Sequence, residues 1–107
     1  MDKLQSSIKG IIQEAEQLNN IKLAAIKEIE GRLNTCPTQW LSATNNFIKI
    51  VRTNISRRQS LVRELREKKI LNDPQRLIDI TYELQDIDSK DLIASNVYNS
   101  IMDEEMQ

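Results

Sequence analysis

Few residues in this chain are equipped for chemistry. There is no histidine among its 107 residues, so the commonest general base and the usual zinc ligands are missing. Cys36 is the single cysteine. It has no histidine to activate it and no second thiol to pair with, and a cysteine before a proline at a helix start is usually structural. Gly10 and Gly31 are the only glycines; they lie far apart inside helical pattern, so no glycine loop cradles a phosphate. Asp86, Asp88 and Asp91 with Ser89 imitate a calcium loop, but the glycine is absent and Lys90 takes the place of the third ligand. Capping and solvation explain these aspartates better. Arg57-Arg58-Gln59-Ser60-Leu61 has the order of a basophilic kinase site, yet it falls mid-helix, where a kinase cannot bind it extended. Asn54-Ile55-Ser56 has the order of a glycosylation sequon, without a secretory signal ahead of it. Both read as chance. The expectation is a non-catalytic protein without metal or cofactor.

Charge carries more information than catalytic type. The net charge is −1, but its distribution is uneven. Residues 49–69 carry eight basic groups against Glu64 and Glu67. Residues 73–107 carry nine acidic groups against Arg76 and Lys90. The plain interpretation is internal pairing, with Asp79, Glu83 and Asp86 facing the basic half of the preceding helix. The functional interpretation is a strip for an acidic partner: Lys49, Arg52, Arg63 and Arg66 fall within about 100° of one another on a helical wheel. Nucleic acid is the weaker candidate. No aromatic interleaves with these residues, and the acidic third segment repels a polyanion.

These groups must be positioned by long helices. Apolar residues are 39% of the chain, aromatics only 4%, and two prolines and two glycines are too few for a many-turned β fold. Pro37 to Lys69 organises the rest. Leu41, Ile48, Val51, Ile55, Val62 and Leu65 make one stripe at 3-4-3-4 spacing, with Thr44 and Arg58 in the gaps. Before it, Leu4, Ile8, Ile11, Ala15 and Leu18 run at the same period. The stripe resumes beyond Asn19-Asn20 as Ala25 or Ile26, Ile29 and Leu33, with either a bend or a turn at the Asn pair. Asp2 and Gln5 imitate a capping box. Asn34-Thr35-Cys36-Pro37 is the first break, with Thr35 or Cys36 as cap and Pro37 as first helical residue. Asn72-Asp73-Pro74 is the second. After it Leu77, Ile80, Leu84, Ile87, Asp91, Ala94, Tyr98 and Ile101 share one frame.

The spacing therefore predicts an all-α, up-down-up antiparallel three-helix bundle, with helices over about 3–33, 37–69 and 74–102. The third is either continuous or broken near Asp88. Residues 1–107 form one domain, with 103–107 as a frayed acidic tail. Arg58 is the misfit, a charge in the centre of an apolar stripe. It snorkels, pairs with Asp91, or lies at an interface. No stretch approaches the roughly 20 apolar residues of a membrane span, and the lone cysteine suits a reducing compartment, cytoplasm or nucleus.

Function is then expected from surfaces. The first expectation is an interaction module, a small subunit or adaptor that binds a partner helix, or a second copy of itself, through leftover apolar residues. These are Ile50 and Leu61 on the second helix and Leu92, Ile93 and Val97 on the third. The second is an electrostatic binder of nucleic acid or an anionic membrane through the basic strip Lys49–Lys69, with Lys49, Arg52, Arg58, Arg63 and Arg66 as its candidate contacts.

Overall fold

The computed structural model describes residues 2–106, with side chains described for 3–103. The expected Asp2 cap, and all of the expected 103–107 tail except Asp103, lie outside the described side chains. Three long helices make up the chain: α1 (Asp2–Gly31), α2 (Thr38–Arg66) and α3 (Pro74–Met106). They are joined by 3-10 turns at Leu33–Thr35 and Lys68–Asn72. Connections this short force antiparallel neighbours. Both α1 and α3 pack on α2, giving an all-α three-helix bundle. The result is a rod of 55 × 21 × 17 Å.

The breaks differ in detail from the sequence expectation. Pro37 is the N-cap residue of α2 rather than its first helical residue, with φ −57° and ψ 142°. The α2 helix stops at Arg66, three residues early, where Glu67 turns extended. The reason is Ile70. On a continued helix it would point about 90° away from the core stripe. In the 3-10 turn it is buried beneath the end of the bundle, in one cluster with Ile8 and Leu65. At the start of α3 the Asp73 carboxylate accepts from the Arg76 amide at 3.0 Å, a side-chain cap followed by proline as expected.

Neither optional break is present. The α1 helix runs through Asn19-Asn20, and α3 runs through Asp88 without interruption. The stripes explain both. Asn19 and Asp91 are core positions occupied by polar residues, and both are buried. Ile26, not Ala25, fills the second half of the α1 stripe. Leu41, expected inside, is exposed at the first turn of α2.

Polar residues divide the core in two. Near the second turn, Ile8, Ala15, Leu61, Val62, Leu65, Ile80, Leu84 and Ile87 pack together, from all three helices. At the other end Ile26, Ile48, Val51 and Ile55 form a cluster from α1 and α2 alone. Burying each such isoleucine stabilises the fold by about 1.5–3 kcal/mol. Between the clusters lies a polar layer built on Arg58, which is 1% exposed. Its guanidinium donates to Asn19 Oδ1 at 2.9 Å, Asp88 Oδ1 at 2.8 Å and Asp91 Oδ2 at 2.7 Å. Asn54 Nδ2 donates to the other Asp91 oxygen at 2.7 Å. Every helix contributes, so the layer fixes the mutual register of all three. A slip of any helix strands a buried charge or amide.

Candidate functional site: an apolar groove between α2 and α3

The division of the core leaves an opening. At the end where α1 and α2 share a cluster, α3 is held to α2 mainly through aromatics. Phe47 and Tyr98 stack with centroids 4.6 Å apart and planes 12° from parallel. The Tyr98 hydroxyl and Thr44 Oγ1 share a hydrogen bond of 3.1 Å. Beside this pair two of the lining residues are small, Ala43 on α2 and Ala94 on α3, so the helices do not close over it. A groove of about 400 Å³ remains, with Ile50, Ile93, Val97 and Ile101 along its sides. Its inner end meets the polar layer at Asn54. The floor is thus fixed by stacking and hydrogen bonds, and little side-chain freedom is left to lose when the groove is filled.

The sequence-derived site residues separate into three groups. Ile50, Ile93 and Val97 line this groove and are exposed, and Leu92 is exposed beside it. The structure therefore brings together most of the apolar candidates. Leu61 does not join them: it is 4% exposed and belongs to the core near the second turn. Arg58 is likewise closed to a partner. Its charge is satisfied inside by Asp91 and Asp88, the internal pairing that the shared stripe position suggested. Its Nε alone has no partner.

The basic strip is on another face and is partly neutralised. Arg52 pairs with Glu30, and Arg66 with Glu16, both on α1. The acidic residues of α3 were expected to face the strip and do not. Glu83 and Glu64 hold Arg76, at 3.1 Å and 2.7 Å. Asp86 pairs with Lys90 one turn on, at 3.1 Å, and Asp79 accepts from Gln75. The physical reason is rotation about the α2 axis: Arg52 and Arg66 flank the core stripe on the α1 side, away from α3. Lys49 and Arg63 remain exposed, with no ion pair among the described residues.

One electrostatic unit is tuned by its contacts. The two hydrogen bonds from Arg76 hold the Glu64 carboxyl below its ordinary range. The same contacts raise Arg76 further above its already high value. This cluster staples the end of α2 to the start of α3 and touches neither groove nor strip. No group of three His, Cys, Asp or Glu among the described residues is arranged to hold a metal, and no described helix is long and apolar enough to cross a membrane. Cys36 is half-buried in the α1–α2 turn, at the other end of the rod, its thiol directed at the Pro37 carbonyl.

Sequence reasoning missed the groove's floor. The sequence gives Phe47 no role and places Tyr98 and Ala94 in the core stripe. The signal was present as a second, fainter stripe on α2: Ala43, Phe47, Ile50 and Asn54 at 4-3-4 spacing, about 100° from the first. Comparison with protein-family models, characterised proteins and solved structures finds no match to this chain.

Proposed function

We propose that this chain is a non-catalytic protein–protein interaction module, a small subunit or adaptor of a helical assembly inside the cell. It seats an amphipathic helix of about three turns in the groove between α2 and α3. The observation that carries this reading is the groove itself. Ile50, Ile93 and Val97 stand exposed around a floor already locked by the Phe47–Tyr98 stack. Helix-in-groove recognition uses anchors at i, i+3 or i+4, and i+7, and residues 43–54 span roughly 17 Å, enough for that set.

The electrostatic alternative draws on Lys49 and Arg63, which remain exposed. It is weakened by Arg52 and Arg66, whose charges are engaged by α1.

A photo-crosslinking amino acid at Asn46, on the groove rim, separates the two when compared with the same group at Gln59, beside Arg63. The groove reading expects protein adducts from Asn46 whose yield survives 1 M salt. Adducts from Gln59 only, lost steeply as salt rises, would overturn it.

A further inference from the structure

The groove is charged at one end only. Its outer half is built from residues 38–48 of α2 and 92–102 of α3, and neither stretch contains a charged residue. At the inner end a cation comes in from each wall. Lys90 is the one charged residue lining the groove, and it is exposed. Arg57 follows Asn54 by three positions and Ile50 by seven, so it continues the α2 wall one turn beyond the lining. It is half-buried and makes no ion pair among the described residues.

The carboxylates at this level of α3 are engaged elsewhere. Asp91 is buried against Arg58. Asp88 also pairs with Arg58, and it points about 160° away from Lys90 around α3. Asp86 pairs with Lys90. The inner mouth of the groove therefore presents Arg57 and Lys90 against Asp86 alone. A half-buried guanidinium is screened less than one in open water, so a carboxylate brought to Arg57 by a partner counts for more there than on an open face.

We infer that the occupant of the groove is an amphipathic helix of another protein, parallel to α2, whose acidic C-terminal flank lies over Arg57 and Lys90. This inference rests on the groove being a docking site. Charge sets both the composition and the direction. Carboxylates at the outer end would meet no cation, and a lysine or arginine at the inner end would meet two. The last carbonyls of a helix carry partial negative charge, so the C-terminal end of the docked helix points to the cations. The α2 wall runs from Ala43 at the outer end to Asn54 at the inner, which makes the docked helix parallel to α2 and antiparallel to α3. From Ile50 to Arg57 is roughly 10 Å along the axis. The acidic position accordingly falls about two turns after the anchor that packs on Ile50.

A displayed library of roughly four-turn peptides tests this on the full chain. Leucine is fixed at i, i+4 and i+7, and every other position is randomised. Peptides held by the parent chain and lost from Ile50→Glu should carry Asp or Glu in the C-terminal flank at least threefold above the unselected library, within the range of one exposed ion pair. Acidic residues there oppose the peptide's own helix dipole, so their enrichment reports the groove and not helix propensity. On Arg57→Glu or Lys90→Glu the preference should turn to Lys or Arg. Lys90 is exposed, so Lys90→Glu keeps the test intact should Arg57→Glu lose helical circular dichroism. Groove-bound peptides with no acidic preference, with a basic C-terminal flank, or with acidic residues at the N-terminal flank alone overturn the inference. So does a dimer of the chain itself, seen by sedimentation velocity, that Ile50→Glu dissolves. None of these removes the docking reading, which falls instead if no peptide distinguishes the parent from Ile50→Glu and Asn46 yields no adducts.

Discussion

Removing one charge from the polar layer should harm the fold far more than removing two. The perturbation is Arg58→Met, Asp91→Leu and the pair together. In Arg58→Met the Asp91 carboxylate, 2% exposed, keeps only the Asn54 amide. In Asp91→Leu the guanidinium keeps Asn19 and the half-exposed Asp88, and the Asn54 amide loses its acceptor. Breaking a buried pair from one side costs about 3–5 kcal/mol, with Asp91→Leu at the lower end because Asp88 still pairs with Arg58. The unfolding entropy of a chain this size is about 0.22 kcal/mol/K, so each single variant should melt roughly 13–22 °C lower. The double variant leaves no unpaired buried charge. Its remaining defect is two neutral amides, Asn19 and Asn54, worth about 1–3 kcal/mol. It should therefore be no less stable than either single variant, although the additive sum is about 6–10 kcal/mol. Urea titrations followed by circular dichroism at 222 nm measure all four corners. Additive losses would refute the claim that the layer acts as one unit.

Three further outcomes follow from individual contacts. Ile87→Ala, at a position with no exposed surface, should lower stability by about 2–5 kcal/mol, whereas Ile50→Ala on the groove rim should change it by less than about 0.5 kcal/mol; urea midpoints compare them. Asp73→Ala removes the acceptor for the Arg76 amide and should cost about 1 kcal/mol, read as a Tm loss of a few degrees. Glu64 is held below its unfolded value of 4.5, so its contribution is complete above that pH and fades as pH falls through the folded value. Melting temperatures of the wild type and Glu64→Gln should accordingly differ most near pH 6 and converge towards pH 3. A gap that widens with acid would contradict the assignment.

The long periodic runs made the bundle legible in the sequence. Seven positions from Thr44 to Leu65 fixed the inner face of α2, and Pro37 and Pro74 marked the turns. Arg58 and Asp91 could be matched because each was the sole charge in its stripe. The end of α2 was not legible, because Ile70 is apolar on either geometry and only its burial shows why the helix stops. The ion pairs were misassigned to α3 for a related reason. A count of charges gives sign but not rotation about the helix axis, and Arg52 and Arg66 face α1. Leu61 shows the same limit: its place on the wheel resembled that of Ile50, but at its level α3 lies closed against α2. The groove depends on where Ala43, Ala94 and the Phe47–Tyr98 stack come together between α2 and α3, a tertiary register that no single helix encodes.

Lys49 and Ile50 are neighbours in the chain but point about 100° apart around α2, one on the basic strip and one in the groove. The most direct measurement is the adduct yield from the Asn46 crosslinker in the parent chain, Lys49→Glu and Ile50→Glu, with helicity checked for each. Docking in the groove predicts that Ile50→Glu abolishes the adducts and Lys49→Glu leaves them. Adducts that survive Ile50→Glu and vanish with Lys49→Glu would contradict it.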